Sequence, residues 1–249
     1  MSGHSKWAKI KHQKAGSDAK RGQLFTKLGR EITIAAREGG GDVDANVRLR
    51  LAVQRARDAN MPGENIDRAI KHGAGQGDGV SLEEAVYEGY GPGGAAMMVE
   101  VATDNRNRAA AEVRNAFTRG GGNMGESGCV AWIFELRGVI EVEADGHDPD
   151  ELALQAIDAG AEDVQSEGEL LSIYTNPSEL EQVRLALAGQ NVPITSAETT
   201  MVPKTTIATD DETAMRILRL VDRLEELDDV QKVYTNLEIP DAVLEQYAR

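Results

Sequence analysis

Apolar side chains recur at helical spacing in the first third of the chain and in short strand-like runs after it. Leu24, Leu28, Ile32 and Ala35 fall about one turn apart, and GGG at 39–41 stops that helix. Leu49, Ala52, Val53 and Ala56 share one face of a second helix, over about 43–59. NMPGENIDRAI opens a third: Pro62 suits the first turn, Glu64 favours the positive helix end, and Ile66, Ala69 and Ile70 make a short stripe. Residues 1–21 have no such period. Their only large apolar side chains are Trp7 and Ile10, so this segment is expected to stay mobile until bound.

Beyond the glycine-rich stretch 73–79, read as a hinge, the pattern changes. AAMMVEVAT (95–103) reads as a strand. Asp104 or Asn105 caps a following helix with Ala109, Ala110, Val113, Ala116 and Phe117 inward, and CVAWIFEL (129–136) reads as another strand. A β-α-β-β-α-β series follows over 139–203, with Leu152, Ala156 and Ile157 inward on its first helix. The tail adds one helix (212–227) and one strand (230–236), which cannot bury their apolar faces alone. Nesting solves this. The expected fold is α+β in three domains, an N-terminal helical one followed by two split-βαβ-like α/β ones, one inserted in the other. The boundaries are 1–77, then 78–137 with 204–249, then 138–203 as the insert.

Charge sharpens this division. The chain carries 27 basic and 42 acidic residues, yet 1–77 holds 15 against 8, a net of +7, and 78–249 holds 12 against 34, a net of -22. Such sorting implies different partners for the two parts. One cysteine, Cys129, rules out an intrachain disulfide and, in a strand, is expected to be a buried inert thiol. No run approaches the roughly 20 apolar residues of a membrane span, and the basic start lacks a signal peptide's apolar region. A cytoplasmic protein with no membrane partner is expected.

Chemistry is sparse. His4, His12, His72 and His147 have no metal-ligand spacing, and GAGQGDG has neither a preceding strand nor a Gly-Lys-Ser/Thr. Acid runs such as DDE at 210–212 read as helix starts or solvated faces. Neither catalysis, nor a cofactor, metal or small-molecule substrate, is expected. The basic residues are the candidates. Lys6, Lys9, Lys11, His12, Lys14, Lys20 and Arg21 surround Trp7, which can stack on an unpaired base, and Lys27 and Arg30 continue onto the first helix. The alternative for this arm is a solubilising tail. Arg106, Arg108 and Arg119 form a weaker auxiliary candidate, whose alternative is a plain polar face.

SGHSKWAKIKHQKA (2–15), KRGQLFTKLGREI (20–32), NMPGENIDRAIKHGAG (60–75) and YEGYGPGGAAMMVEVATDNRNRAAAEVRNAFTRGGGNMG (87–125) resemble the YebC/PmpR family, as does the terminal LEELDDVQKVYTN. That family includes the mitochondrial translational activator of cytochrome c oxidase. The resemblance spans essentially the whole chain. It implies a helical N-terminal domain and two α/β domains, the last inserted into the middle one. It also implies nucleic-acid binding, customarily as DNA-binding transcriptional regulators, although other members act in translation or resemble ribosome-associated factors that relieve stalling at proline-rich stretches. Extended acidic surface resists lying along DNA, which favours a ribosome and rRNA partner. DNA-binding regulation and a protein-binding adaptor are the alternatives.

Overall fold

The computed structural model describes residues 18–75, 82–144 and 146–248. Most of the arm expected to be mobile (residues 1–17) and most of the expected hinge lie outside the described residues; the arm's last four residues, 18–21, are helical rather than irregular and open the first helix. Two compact units form. Of the described residues, one is built from those between Asp18 and Ala131 together with Glu212–Thr235, the other from Trp132–Asp211 with those after Thr235. An N-terminal helical region is followed by two α/β regions with antiparallel sheets.

The helical region holds α1 (Asp18–Gly39), α2 (Val47–Asp58) and α3 (Gly63–Gly73). Their predicted stripes meet in one core of Leu28, Ile32, Ala35, Leu49, Ala52, Val53, Ala56, Met61 and Ile66. Asn46 ties two of the helices together. Its Oδ1 accepts from Leu49 N at 3.1 Å and caps α2, while its Nδ2 donates to Ala35 O at 2.8 Å and Gly40 O at 2.9 Å. Pro62 stands at the N-cap of α3 rather than inside its first turn. At the other end of α3, a β-carbon on Gly73 would stand 2.2 Å from Thr33 O and 2.7 Å from Ala36 Cβ, so only glycine lets α3 lie this close to α1. Gly73→Ala should therefore cost about 2 kcal/mol, read as a lowered urea midpoint with little change in slope.

In the same unit, β1 (Glu83–Tyr90), β2 (Ala96–Thr103), β3 (Asn123–Met124) and β8 (Val230–Thr235) make a sheet of order β3-β1-β2-β8. The helices α4 (Arg106–Arg119) and α7 (Asp211–Glu225) bury Val113, Phe117, Ile217, Leu218 and Leu224. Asn105 provides the α4 cap, accepting from Arg108 N at 3.1 Å. The strand β1 was not predicted. Its glutamates and glycine mask the alternation, and Glu88 is buried for a reason visible only in three dimensions. The Glu88 carboxylate accepts from the backbone N–H groups of Gly128 (2.6 Å), Val130 (2.8 Å) and Ala131 (2.7 Å). Burial pushes its pKa up, but those three donors outweigh burial and hold it below the usual range.

Those contacts shape residues 125–131 as a loop, which corrects the strand expected at 129–136. Cys129 is half-buried in this loop rather than sequestered in a strand, and desolvation raises its pKa. The strand β4 begins only at Phe134 and runs unbroken to Glu143. Positions 137 and 138, where a domain boundary was expected, are consecutive residues within it. Gly138 is a packing residue, since a β-carbon there would meet Thr175 Oγ1 at 2.2 Å and Leu180 Cβ at 2.9 Å.

The second unit carries the predicted series: β4, α5 (Pro149–Asp158), β5 (Asp163–Glu167), β6 (Leu170–Thr175), α6 (Leu180–Gly189) and β7 (Ile194–Pro203). The sheet order is β5-β6-β4-β7, all antiparallel. Leu152 and Ala156 face the core as expected, whereas Ile157 is 48% exposed. The inward stripe of this short helix is one residue narrower than the spacing implied. A last helix, α8 (Asp241–Ala248), was also not predicted; it buries Val243 and Leu244.

Candidate nucleic-acid interface

Lys6, Trp7, Lys9, Lys11, His12 and Lys14 lie outside the described residues, as does the side chain of Lys20. Arg21 is exposed on the first turn of α1. The next two candidates are placed differently from expectation. Lys27 Nζ donates to Glu225 O at 2.7 Å. Arg30 donates to Asp228 O and pairs with Asp229 Oδ1 at 3.3 Å. Burial strips water from the Lys27 ammonium and Arg30 stands close, which together lower its pKa to about 8 against a smaller opposing pull from Asp228.

Asp229 is the centre of this arrangement. It is 3% exposed, and its Oδ2 accepts from Arg108 Nη2 at 2.7 Å and from Thr103 Oγ1 at 2.8 Å. Desolvation opposes ionisation, but the hydrogen bonds from Arg108 and Thr103 and the charges of Arg108 and Arg30 hold the carboxyl below its usual range. Arg108 also pairs with Asp104 at 2.7 Å, and hydrogen bonds to Asp229 and then Asp104 raise its pKa. An open cleft of about 700 Å³ is lined here by Arg30, Leu82, Asp104, Arg108, Glu112 and Asp229, among others. Its acids outnumber its bases, and both arginines already have carboxylate partners. This cleft repels phosphate. It is a junction between α1 and the sheet.

Other basic residues of the helical region are similarly occupied. Arg37 donates to Leu82 O, Arg48 pairs with Glu38 and with Glu84 at 2.8 Å, and Arg55 pairs with Glu31 at 2.8 Å. Arg57, Arg68 and Lys71 remain exposed. Of the auxiliary candidates, Arg106 reaches Glu83 at 3.4 Å and Arg108 is spent on Asp229, whereas Arg119 is exposed. Arg119 is thus separated in role from the other two.

Three further arginines lie outside the candidates named from the sequence. Arg216, Arg219 and Arg223 on α7 are all exposed, and their spacing of three and four puts them on one helix face. The spacing was visible in the sequence. The stronger apolar stripe of the same helix masks it.

Two family models match the chain: the TACO1/YebC N-terminal domain over residues 5–76, and the TACO1/YebC second and third domain over residues 82–237. The chain belongs to the TACO1/YebC family. A "Probable transcriptional regulatory protein" of Moorella thermoacetica is 59% identical over 249 residues, covering 99% of each chain. Another so named, from Halothermothrix orenii, is 54% identical and covers 99% of this chain and 98% of its own length. Among solved structures, the conserved hypothetical protein Aq1575 of Aquifex aeolicus superposes with a TM-score of 0.83 at 52% identity, over 90% of this chain and 93% of that one. Membership of the TACO1/YebC family supports a regulatory, nucleic-acid-associated and non-catalytic function. Among the described residues, no cluster of His, Cys, Asp and Glu is arranged to hold a metal, and no helix is long and apolar enough to cross a membrane.

Proposed function

We propose that this protein is a ribosome-associated translation factor. Its basic N-terminal arm binds ribosomal RNA, with Lys6, Trp7, Lys9, Lys11, His12, Lys14, Lys20 and Arg21 as contacts, and it aids elongation at difficult stretches such as proline-rich ones. One observation carries this reading: the +7 of residues 1–77 set against the -22 of residues 78–249. A basic arm can enter an irregular RNA crevice, where Trp7 finds unstacked bases, ahead of a body whose net charge is negative. The ion pairs of Arg30, Arg48 and Arg55 shift the weight of binding further onto the arm. The three-domain division with boundaries near 77, 137 and 203 belongs to the same proposal.

DNA-binding transcriptional regulation is the second reading, favoured by the names of the relatives. A short turn joins α2 to α3, as in a DNA-reading helix pair. The exposed early positions of α3, however, include Glu64 and Asp67, which repel a duplex backbone.

Crosslinking in living cells, with sequencing of all attached RNA and DNA, separates the two readings. An rRNA peak that disappears on deletion of residues 1–21 is the expected result. Enrichment at a few promoters with no ribosomal peak would reverse the assignment. With purified protein, changing Lys9, Lys11 and Lys14 together to Ala should flatten the salt dependence of RNA binding by about 2 in log–log slope.

A further inference from the structure

We propose that α7 and the end of α4 form a second RNA-contacting surface, in which Arg119, Arg216, Arg219 and Arg223 hold the phosphodiester backbone. This rests on the RNA reading above and extends it to the larger, acidic part of the chain, which that reading leaves without a nucleic-acid role. Residues 78–249 hold 12 basic side chains against 34 acidic ones, so an even scatter would leave no local positive field. Seven of the 12 nevertheless lie on α4 and α7. Arg106 and Arg108, at the start of α4, are taken up by Glu83, Asp104 and Asp229. Arg119, Arg216, Arg219 and Arg223 are exposed, and none forms an ion pair among the described residues.

The geometry concentrates them. On α7 the three arginines fall within about 60° of arc, pointing away from the buried Ala214, Ile217, Leu218, Val221 and Leu224, with the buried Leu220 on their flank. They span about 10 Å along the helix, enough for two or three successive phosphates. The Gly120-Gly121-Gly122 turn brings the end of α4 against them. A β-carbon on Gly120 would stand 2.6 Å from Leu220 Cδ1, and one on Gly121 would stand 3.0 Å from Arg216 Nη2. The Arg216 guanidinium therefore lies over the Gly121 backbone, two residues from Arg119. Like charges crowded in this way repel, and a bound anion removes the repulsion. Glu212, one turn before Arg216, and Glu226, past Arg223, bound the strip at its two ends.

The residue type and its surroundings favour RNA over an acidic protein. Every cation in the strip is arginine, whose planar fork matches phosphate oxygens in pairs. Among the described residues, α4 and α7 present no exposed large hydrophobic side chain, so the apolar anchors on which protein interfaces depend are missing.

The test uses the full-length protein and a 5′-labelled single-stranded ribosomal RNA fragment, titrated across a salt series. R216A/R219A/R223A should weaken binding by about tenfold or more near 0.1 M salt and flatten the log–log slope by about 2. R216K/R219K/R223K should keep most of the slope, because charge is retained while the paired geometry is lost. Both variants should melt within about 2 °C of the parent, since the changed side chains are exposed. If the alanine variant binds with unchanged affinity and slope while deletion of residues 1–21 abolishes binding, the second surface is refuted and the RNA reading stands. If the parent protein fails to bind RNA at all, both fall together.

Discussion

Glu88→Ala should destabilise the protein by about 3 kcal/mol, a substantial fraction of the roughly 5–15 kcal/mol by which folded domains are stable. The side chain is 5% exposed and accepts from three backbone N–H groups. Removing it leaves three buried or half-buried donors without an acceptor, and each such donor costs about 1 kcal/mol or more. Glu88→Gln keeps the volume but offers one carbonyl to three donors and turns an amide NH2 toward them, so it should recover only part of the loss. Urea denaturation of both variants reads this directly. A midpoint for Glu88→Ala within about 0.2 M of the parent would show that water replaces the carboxylate without cost.

Asp229→Ala should cost a similar amount, about 3 kcal/mol, by a different route. It leaves the buried Thr103 hydroxyl and two guanidinium groups without their shared acceptor, and frees Arg30 from one of its anchors on the β8 side. The effect should be local as well as global, so amide exchange in α1 should quicken beyond that of the α2 core. The pH dependence follows in sign. Both Asp229 and Glu88 have folded pKa values below their unfolded ones, roughly 3.9 and 4.3. The stability they supply is complete above those unfolded values and is lost as pH falls through the lower folded values. The parent should therefore lose stability steeply below about pH 4, and the double variant much less steeply. Parallel curves for the two proteins would rule out this origin of acid lability.

Legibility followed the type of interaction. The three helices, the β-α-β-β-α-β series and the pairing of the C-terminal helix and strand with an earlier sheet all rest on apolar periodicity, which is local and written in the chain. The strand β1 was lost because three of its eight residues are glutamates, and the burial of Glu88 depends on N–H groups some 40 residues away. The close packing of Gly138 against Thr175 and Leu180 joins positions some 40 residues apart and leaves no mark in the local sequence. The candidate site divided in the same manner. Charge segregation was plain in the sequence, but the occupation of Lys27, Arg30 and Arg108 was not, because their partners at 225–229 lie more than a hundred residues away. The α7 arginines show the opposite case, a signal present in local spacing whose meaning needed the exposure of one face and the closeness of α4.

The pairing of β2 with β8 carries a consequence for how the protein is made. Met97 lies opposite Thr235, and Val99 opposite Val233, so the two halves of this ladder leave the ribosome well over a hundred residues apart. At about 5–20 residues per second, β2 waits on the order of 10 s for its neighbour. During that interval its outer edge is open to any other strand, while the whole β4–β7 sheet, contiguous in the chain, can close ahead of it. A nascent chain halted before residue 230 should therefore hold a finished second sheet beside an unfinished first one, and should recruit chaperones until its last twenty residues emerge.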